Sequence, residues 1–382
     1  MEPKNLICIA TSIHPDYDAR VFRHAKSVAS MGFEVDLIAP WTENTNPLPW
    51  GLRIVPFPRV RRRYLRPAQL PARMLPLLMA RPYRLFHFHD IDILPMFAAL
   101  KLILRRPVVY DSHENYANEM LYRSWIPHLL RFPLYWAMRV GEPTLASIIR
   151  DVVTVVPKQD RTFPSIWFRR NMVQNFADRA TETGRADDYD ARPDACVFVG
   201  KQYEDNGTLL FLDVAAAVIE RKPHVKFYTT DYFDHAPLRE RFVRGIRERA
   251  LDEKVVLLPR VSPPEIMSVL NKGTIGLALD LPVPHRIAAL PIKLGDYMAA
   301  GLPIVAADLP NSRRMLEKTR AGFLVKPRDP GSFADAIIRL VEDRKLGKEL
   351  GERGLVAFRE KYNWESQVER LGLVYERLLR EP

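Results

Sequence analysis

The sequence predicts an α/β protein made of two doubly wound, parallel-sheet domains. Three observations lead there. At 382 residues the chain is long for one ordinary core. Short apolar runs alternate with helical stretches along most of it. The alternation breaks once, across a polar segment, and then restarts.

In the first half the apolar runs are NLICIATS, EVDLIAP, LRIVPFP, LFHFH, PVVYDS and DVVTVV. Helical patterns lie between several of them, and VFRHAKSVASMG ends at Gly32, a residue suited to a helix C-cap. After Val156 the pattern weakens. Residues 175–194, NFADRATETGRADDYDARPD, are polar and poor in large apolar side chains, as a connection is. The alternation returns with ACVFVG, HVKFYTT, KVVLLPR, TIGLALD, PIVAAD and GFLVKP. The expected boundaries are 1–175 and 191–363 for the domains, with 176–190 as linker. The last stretch, WESQVERLGLVYERLL, has helical spacing.

Composition narrows the class. Hydrophobic residues at 47% and charged ones at 27% suit a globular protein, while a net charge of +11 favours an anionic partner. No run approaches the ~20 apolar residues that a bilayer span needs. MEPKNLICIATS enters a strand without a signal-peptide layout. Cys8 and Cys196 both fall inside apolar runs, as reduced core residues do. The expectation is a cytoplasmic protein without disulfides.

Ligands of open α/β sheets bind beyond the carboxyl ends of the strands. In the first half those ends are rich in ionisable groups. ICIATSIHPDYDAR carries His14, Asp16, Asp18 and Arg20; LFHFHD carries His87, His89 and Asp90; VVYDSHENY carries Asp111, His113 and Glu114. Any one of them is equally a loop cap, but three successive clusters on one edge point to a polar site. His87 and His89 share a strand face. No HExxH or other recognised zinc spacing occurs, so no metal is expected.

In the second half, VGKQYEDNGTLLFLD leads from strand to helix. Gly200 and Gly207 permit close backbone approach, and Lys201 and Asn206 add polar groups. The turn is neither a GxxxxGK[ST] nor a GxGxxG motif. LLPRVSPPEIMSVL sets Arg260 and Val261 after a strand, where backbone groups either read a flat base or cap a turn. HRIAALPIKLGDYMAAG opens a helix at Pro291 and Ile292, with Arg286 and Lys293 on either side of its start. A lysine in a first turn faces the positive end of the helix dipole. It makes sense either as an i,i+3 partner of Asp296 or beneath an anionic ligand. Helix amides and two cations would hold a pyrophosphate, and Asp296 can accept both hydroxyls of a ribose.

These residues resemble the GT-B-fold glycosyltransferases of the large retaining group called family 4. The most specific stretches are PIKLGDYMAAGLPIVAADLPNSRRMLE and AGFLVKPRDPGSFADAI, joined by DYDARVFRHAKSVASMGFEVDLIAP, HFHDIDILP and VVYDSHENY. The resemblance implies two Rossmann-like domains facing across a cleft, with the acceptor on the N-terminal and the sugar nucleotide on the C-terminal domain. It also implies that residues 364–382 return to the N-terminal domain. Asp296 stands where the family usually has a glutamate on the nucleotide ribose, and Ala288 where another glutamate contacts the donor sugar. Lys201 is the only base in GKQYEDNG, where the family has a basic pair for the diphosphate.

The implied chemistry is transfer of a sugar from a nucleoside diphosphate, by default UDP, to a hydroxyl of a glycan or lipid-linked acceptor. The resemblance implies retention, with neither metal nor cofactor. An inverting route would need a base, for which Asp18, Asp90 and His113 are candidates; Arg20, His89 and Glu114 are expected near the acceptor. An epimerase on the same architecture and a non-catalytic nucleotide-sugar binder are the rivals, the latter because of Ala288. Residues 54–89 hold eight arginines and no acid. That suits anionic lipid headgroups along 59–84 and a peripheral position at an inner membrane face. Its prolines argue against one long helix, and no recognised nucleic-acid motif accompanies the charge.

Overall fold

The computed structural model describes residues 6–14, 20–40, 48, 50–113, 115–122, 126–155, 162–179, 189–261 and 265–380. The chain divides into two compact units, Met1–Asn175 with Gln367–Pro382, and Phe176–Ser366.

The first unit is built on a parallel sheet of β1 (Leu6–Ala10), β2 (Glu34–Pro40), β3 (Leu52–Phe57), β4 (Leu85–His89), β5 (Val108–Ser112), β6 (Asp151–Thr154) and β7 (Arg169–Met172). Its order is β3-β2-β1-β4-β5-β6-β7, so the chain reverses its direction of winding between β1 and β4. The helices are α1 (Val21–Ser30), α2 (Arg66–Met79), α3 (Leu94–Leu104), α4 (Tyr116–Tyr122) and α5 (His128–Ile149). The sequence reading missed β7, whose residues RRNM lie at the sheet edge, where an apolar run is not required.

As expected, the arginine-rich segment is not one long helix, but its prolines do not exclude a shorter one. α2 runs through Pro71 and Pro76 for 14 residues. A proline inside a helix costs about 3 kcal/mol, and packing offsets that: Leu70, Met74 and Leu78 recur at helical spacing and are buried in the core.

The second unit repeats the plan with β8 (Ala195–Phe198), β9 (Lys226–Thr230), β10 (Val255–Leu258), β11 (Ile275–Ala278), β12 (Ile304–Ala307) and β13 (Gly322–Val325), in the order β10-β9-β8-β11-β12-β13. Its helices are α6 (Thr208–Arg221), α7 (Ala236–Glu248), α8 (Ile266–Leu270), α9 (Pro284–Ala288), α10 (Ile292–Ala299), α11 (Pro310–Thr319), α12 (Pro330–Glu342) and α13 (Arg344–Glu360). Side chains of β8 alternate between two cores. Cys196 and Phe198 pack on one face, Val197 and Val199 on the other. Both cysteines are buried free thiols.

The last helix, α14 (Trp364–Arg380), begins in the second unit and passes into the first at Gln367. There Tyr375 is buried and Arg377 pairs with Asp151. Phe176 and Ala177, read from sequence as linker, group with the second unit, because Phe176 packs edge-on against Tyr362 at 5.4 Å.

Candidate functional site

In the first unit the winding reversal puts the ends of β1 and β4 side by side. Thr11 and Ser12 follow β1, and Asp90 follows β4. One carboxylate oxygen of Asp90 accepts from the Thr11 hydroxyl at 2.6 Å and the Ser12 amide at 2.8 Å. The other lies 3.1 Å from His14 Nε2. Asp90 is buried with φ of 76°, a region that non-glycine residues adopt at a cost of about 1–3 kcal/mol and that clusters at functional sites. Burial acts to raise its pKa, but His14 and Thr11 outweigh that and hold it below the ordinary carboxylate value.

His113, just past β5, completes this edge. Its ring centroid is 5.3 Å from that of His14, and its Nδ1 is 3.6 Å from Asp111. Potential ligand atoms of His14, Asp90 and His113 all fall within 4.8 Å of one another. The sequence reading set metals aside because it sought linear zinc spacing; these three come from three different strand ends.

Behind that edge lies a buried polar network. Arg20 donates to both oxygens of Asp111 at 2.9 and 2.8 Å. Burial works to raise the Asp111 pKa, but the Arg20 charge and the facing imidazoles hold it well below the carboxylate range. His89 Nδ1 sits 3.5 Å from the same carboxylate, and His89 Nε2 meets His24 Nδ1 at 3.1 Å. Tyr375 closes the set, its hydroxyl 3.0 Å from His24 Nε2 and 2.7 Å from His87 Nδ1. Burial lowers the pKa of His24, His87 and His89 alike. Potential ligand atoms of these three and Asp111 also lie within 4.8 Å.

The acceptor role expected of His89 is corrected here. Its strand position turns it inward beside His87, and it is fully buried. Arg20 is likewise committed to Asp111 rather than presented to solvent. Asp16, Asp18 and Glu114 lie outside the described residues.

In the second unit the corresponding reversal falls between β8 and β11. The chain leaves β8 through Gly200 (φ 102°) and enters α6 through Gly207 (φ 87°). Asn206 braces this turn: it accepts from the Tyr203 amide at 3.3 Å and donates to the Lys201 carbonyl at 2.8 Å. A Cβ at Gly207 would stand 2.3 Å from the Leu279 carbonyl oxygen, whereas one at Gly200 meets nothing within 4 Å. Gly207→Ala is therefore expected to cost about 2–4 kcal/mol, against about 1 kcal/mol for Gly200→Ala. Urea denaturation would measure both; equal losses would show that the Leu279 contact does not limit the turn.

The cations expected around this turn are brought together, though not as free charges. Lys201 bonds Asp234 at 2.7 Å and lies 5.0 Å from the Tyr203 ring. Arg260 stacks on Tyr232 at 4.2 Å, and Val261 beside it is half-buried. Arg286 lies 5.4 Å from the other side of this set, at Tyr203. It is held by Asp205 at 2.7 Å and Asp280 at 3.4 Å. Tyr203, Tyr232, Asp205 and Asp280 were not singled out from the sequence. Only the apolar run before Asp280, continuing past a strand end, could have flagged one of them.

Lys293 differs from its neighbours. It lies in the first turn of α10, whose start has no side-chain cap. Its stem is partly exposed, but its ammonium is buried and has no hydrogen-bond partner among the described residues. What it does meet is the Phe198 ring, at 4.5 Å. Burial pushes its pKa down, with Asp280 pulling the other way. Arg286, Pro291, Ile292 and Lys293 line one pocket of about 170 Å³, with Asp280 and Asn311. Asp296 is half-buried one turn along the same helix. Ala288 closes α9, and Asn311 donates to its carbonyl at 3.1 Å.

The family description Glycosyltransferase Family 4 matches residues 19–156, and Glycosyl transferases group 1 matches 193–343. Phosphatidyl-myo-inositol mannosyltransferase of Mycobacterium tuberculosis is 28% identical over 211 residues, 53% of this chain and 51% of that protein. The chain spans about half the length of the curated relatives it matches. Among solved structures, sucrose-phosphate synthase from Thermosynechococcus elongatus superposes with a TM-score of 0.75 at 15% identity, covering 99% of this chain and 100% of that one. Anabaena HepE, solved with UDP and glucose, gives 0.69 at 14%, covering 97% and 99%. At such identities the likeness is one of fold.

Proposed function

Since this chain belongs to the GT-B glycosyltransferases, we propose that it moves a hexose-type sugar from a UDP-linked donor to a hydroxyl of a glycan or lipid-linked acceptor, with retention and without a metal. The observation that carries the donor half is the buried Lys293 ammonium, unbonded among the described residues, at the start of α10. Burying an unpaired ammonium is expensive, and a diphosphate over the pocket would supply its partner. Helix amides and Lys293 then meet negative charge as it develops on the leaving group, in a geometry already set before reaction. Arg286 contributes as a cation prepositioned by Asp205 and Asp280, and Asp296 as the acceptor of the ribose hydroxyls.

In the first unit Asp90 and His113 flank the place where the acceptor hydroxyl would sit. Asp90, held ionised by its hydrogen bonds, would orient that hydroxyl through His14 or directly. The UDP and glucose held by HepE and the inositol lipid in the name of the mannosyltransferase support this choice of donor and acceptor by similarity. We place the protein at the inner face of a membrane, where lipid-linked acceptors are presented.

Ala288 favours a second reading, a nucleotide-sugar binder without turnover, because no carboxylate stands at that position. Melting curves against UDP, GDP, dTDP and UDP-hexoses test the donor. A ligand at 100 times its Kd adds about 2.7 kcal/mol of stability, so UDP compounds should raise the melting temperature most. No shift with any nucleotide would sink both readings. Shifts without product, for any acceptor tried, would leave the binder.

A further inference from the structure

The first half of α5 is built against the usual rule for a water-exposed helix. Residues 128–140 read HLLRFPLYWAMRV, with His128, Arg131 and Arg139 as the ionisable nitrogen groups. No residue from 127 to 141 is buried, whereas Glu142, Ala146 and Ile149 in the second half are. A helix apolar on all sides is normally enclosed in a core or in lipid. Leu129, Phe132, Trp136 and Val140 are 89%, 64%, 51% and 59% exposed. Their spacing lays them along one stripe, about 16 Å long. Phe132, Tyr135 and Trp136 form an aromatic group with ring centroids 5.4 to 6.3 Å apart. Soluble monomers rarely expose so continuous an apolar surface without a use for it.

The charges say what covers it. From 126 to 150 the one acid is Glu142, which is buried and accepts from the Tyr110 and Ser112 hydroxyls at 3.0 Å each. The exposed part of the helix thus carries no acid, and its two arginines are half-buried, Arg131 donating to the Ile126 carbonyl at 3.1 Å and Arg139 to the Thr162 hydroxyl at 3.2 Å. A second copy of a +11 chain would bring like charges together, while an anionic lipid surface complements them. Tryptophan and tyrosine beside arginine are also the side chains that settle at a bilayer interface.

We propose that the first half of α5 docks the protein on an anionic bilayer, with Leu129, Phe132, Trp136 and Val140 among the acyl chains. This deepens the reading of a lipid-linked acceptor and rests on it for its purpose. It also moves the contact away from 59–84, where Leu70, Met74 and Leu78 are spent on the core and Arg66 and Arg81 on ion pairs. The element lies on the membrane: thirteen helical residues reach about 20 Å, against about 30 Å of hydrocarbon, and no described helix is long and apolar enough to cross.

Flotation of the full chain with phosphatidylcholine vesicles, with and without phosphatidylglycerol, tests it. The wild type should float with the anionic vesicles. Leu129→Ser, Phe132→Ser and Trp136→Ser together should lower partitioning roughly 10-fold or more, with the melting curve retained because all three side chains are exposed. Arg61→Gln with Arg62→Gln should leave flotation nearly unchanged. The proposal is overturned if the triple variant floats like the wild type, or if the wild type floats with neither vesicle. It is equally overturned if the wild type is a concentration-dependent oligomer, lipid-free, that the triple variant makes monomeric. UDP binding by the same samples reports on the donor site separately, so loss of one reading is not mistaken for loss of the other.

Discussion

Lys293→Met should make the protein more stable and a poorer binder of sugar nucleotides at the same time. Removing an ammonium that is buried without a hydrogen-bond partner among the described residues relieves about 1–3 kcal/mol of desolvation cost. Methionine fills much of the same volume against Phe198. The same change removes the charge-assisted bonds proposed for the diphosphate, about 1.5–3 kcal/mol or roughly 10- to 150-fold in affinity. Urea midpoints and calorimetric titration with UDP and a UDP-hexose measure the two halves independently. A variant that gains stability yet binds UDP as before would mean that Lys293 is a structural oddity and the pocket is not the donor site. A variant that loses both would mean that the lysine is a structural element whose removal damages the unit.

The second large effect is on acid stability. His24, His87 and His89 are fully buried and their pKa values are lowered by burial from the ordinary 6.5. Below pH 6.5 the unfolded chain takes up protons at these positions that the folded chain refuses. The stability they contribute is therefore whole above 6.5 and lost as pH falls toward their folded values. Glu142 acts in the opposite sense: its carboxyl is pushed up to about 7 by burial, so between there and its ordinary 4.5 the folded state holds one proton more. Three imidazoles against one carboxyl leave a steepest slope of about 2.7 kcal/mol per pH unit. Melting temperature should fall clearly between pH 6.5 and about pH 5, and His24→Gln with His87→Gln should flatten that limb. A wild-type melting temperature unchanged across the interval would refute the neutral network.

Much of the fold was legible because parallel strands covered on both faces must be apolar along their whole length. All twelve runs picked out by that criterion became strands, whereas β7, whose residues RRNM sit at an edge, had no such requirement. The turn after β8 was legible for a related reason. Gly200 and Gly207 carry positive φ, and only glycine does so at little cost. Lys293 was legible as a charge at the wrong end of a helix dipole.

What could not be read was partnership. Sequence marks Arg286 as a cation but not that Asp205, 81 residues away, holds it. His87 and His89 show their shared face in the alternation of β4, yet their partner Tyr375 arrives 288 residues after His87. The arginine-rich 59–84 looked like a surface by composition, and tertiary packing spent its apolar face on the core. The half-helix at 128–140, which the sequence reading did not single out, is apolar in composition yet has no buried residue. Sequence by itself determined the twelve apolar strands, the two windings and the strand ends that carry ionisable groups, because these follow from local periodicity and backbone freedom. Tertiary structure alone decided which charges are paired, which imidazoles are sealed from water and which apolar face is left uncovered. Those depend on distances between residues far apart in the chain, and desolvation and ion pairing vary with such distances in a way that no local pattern records.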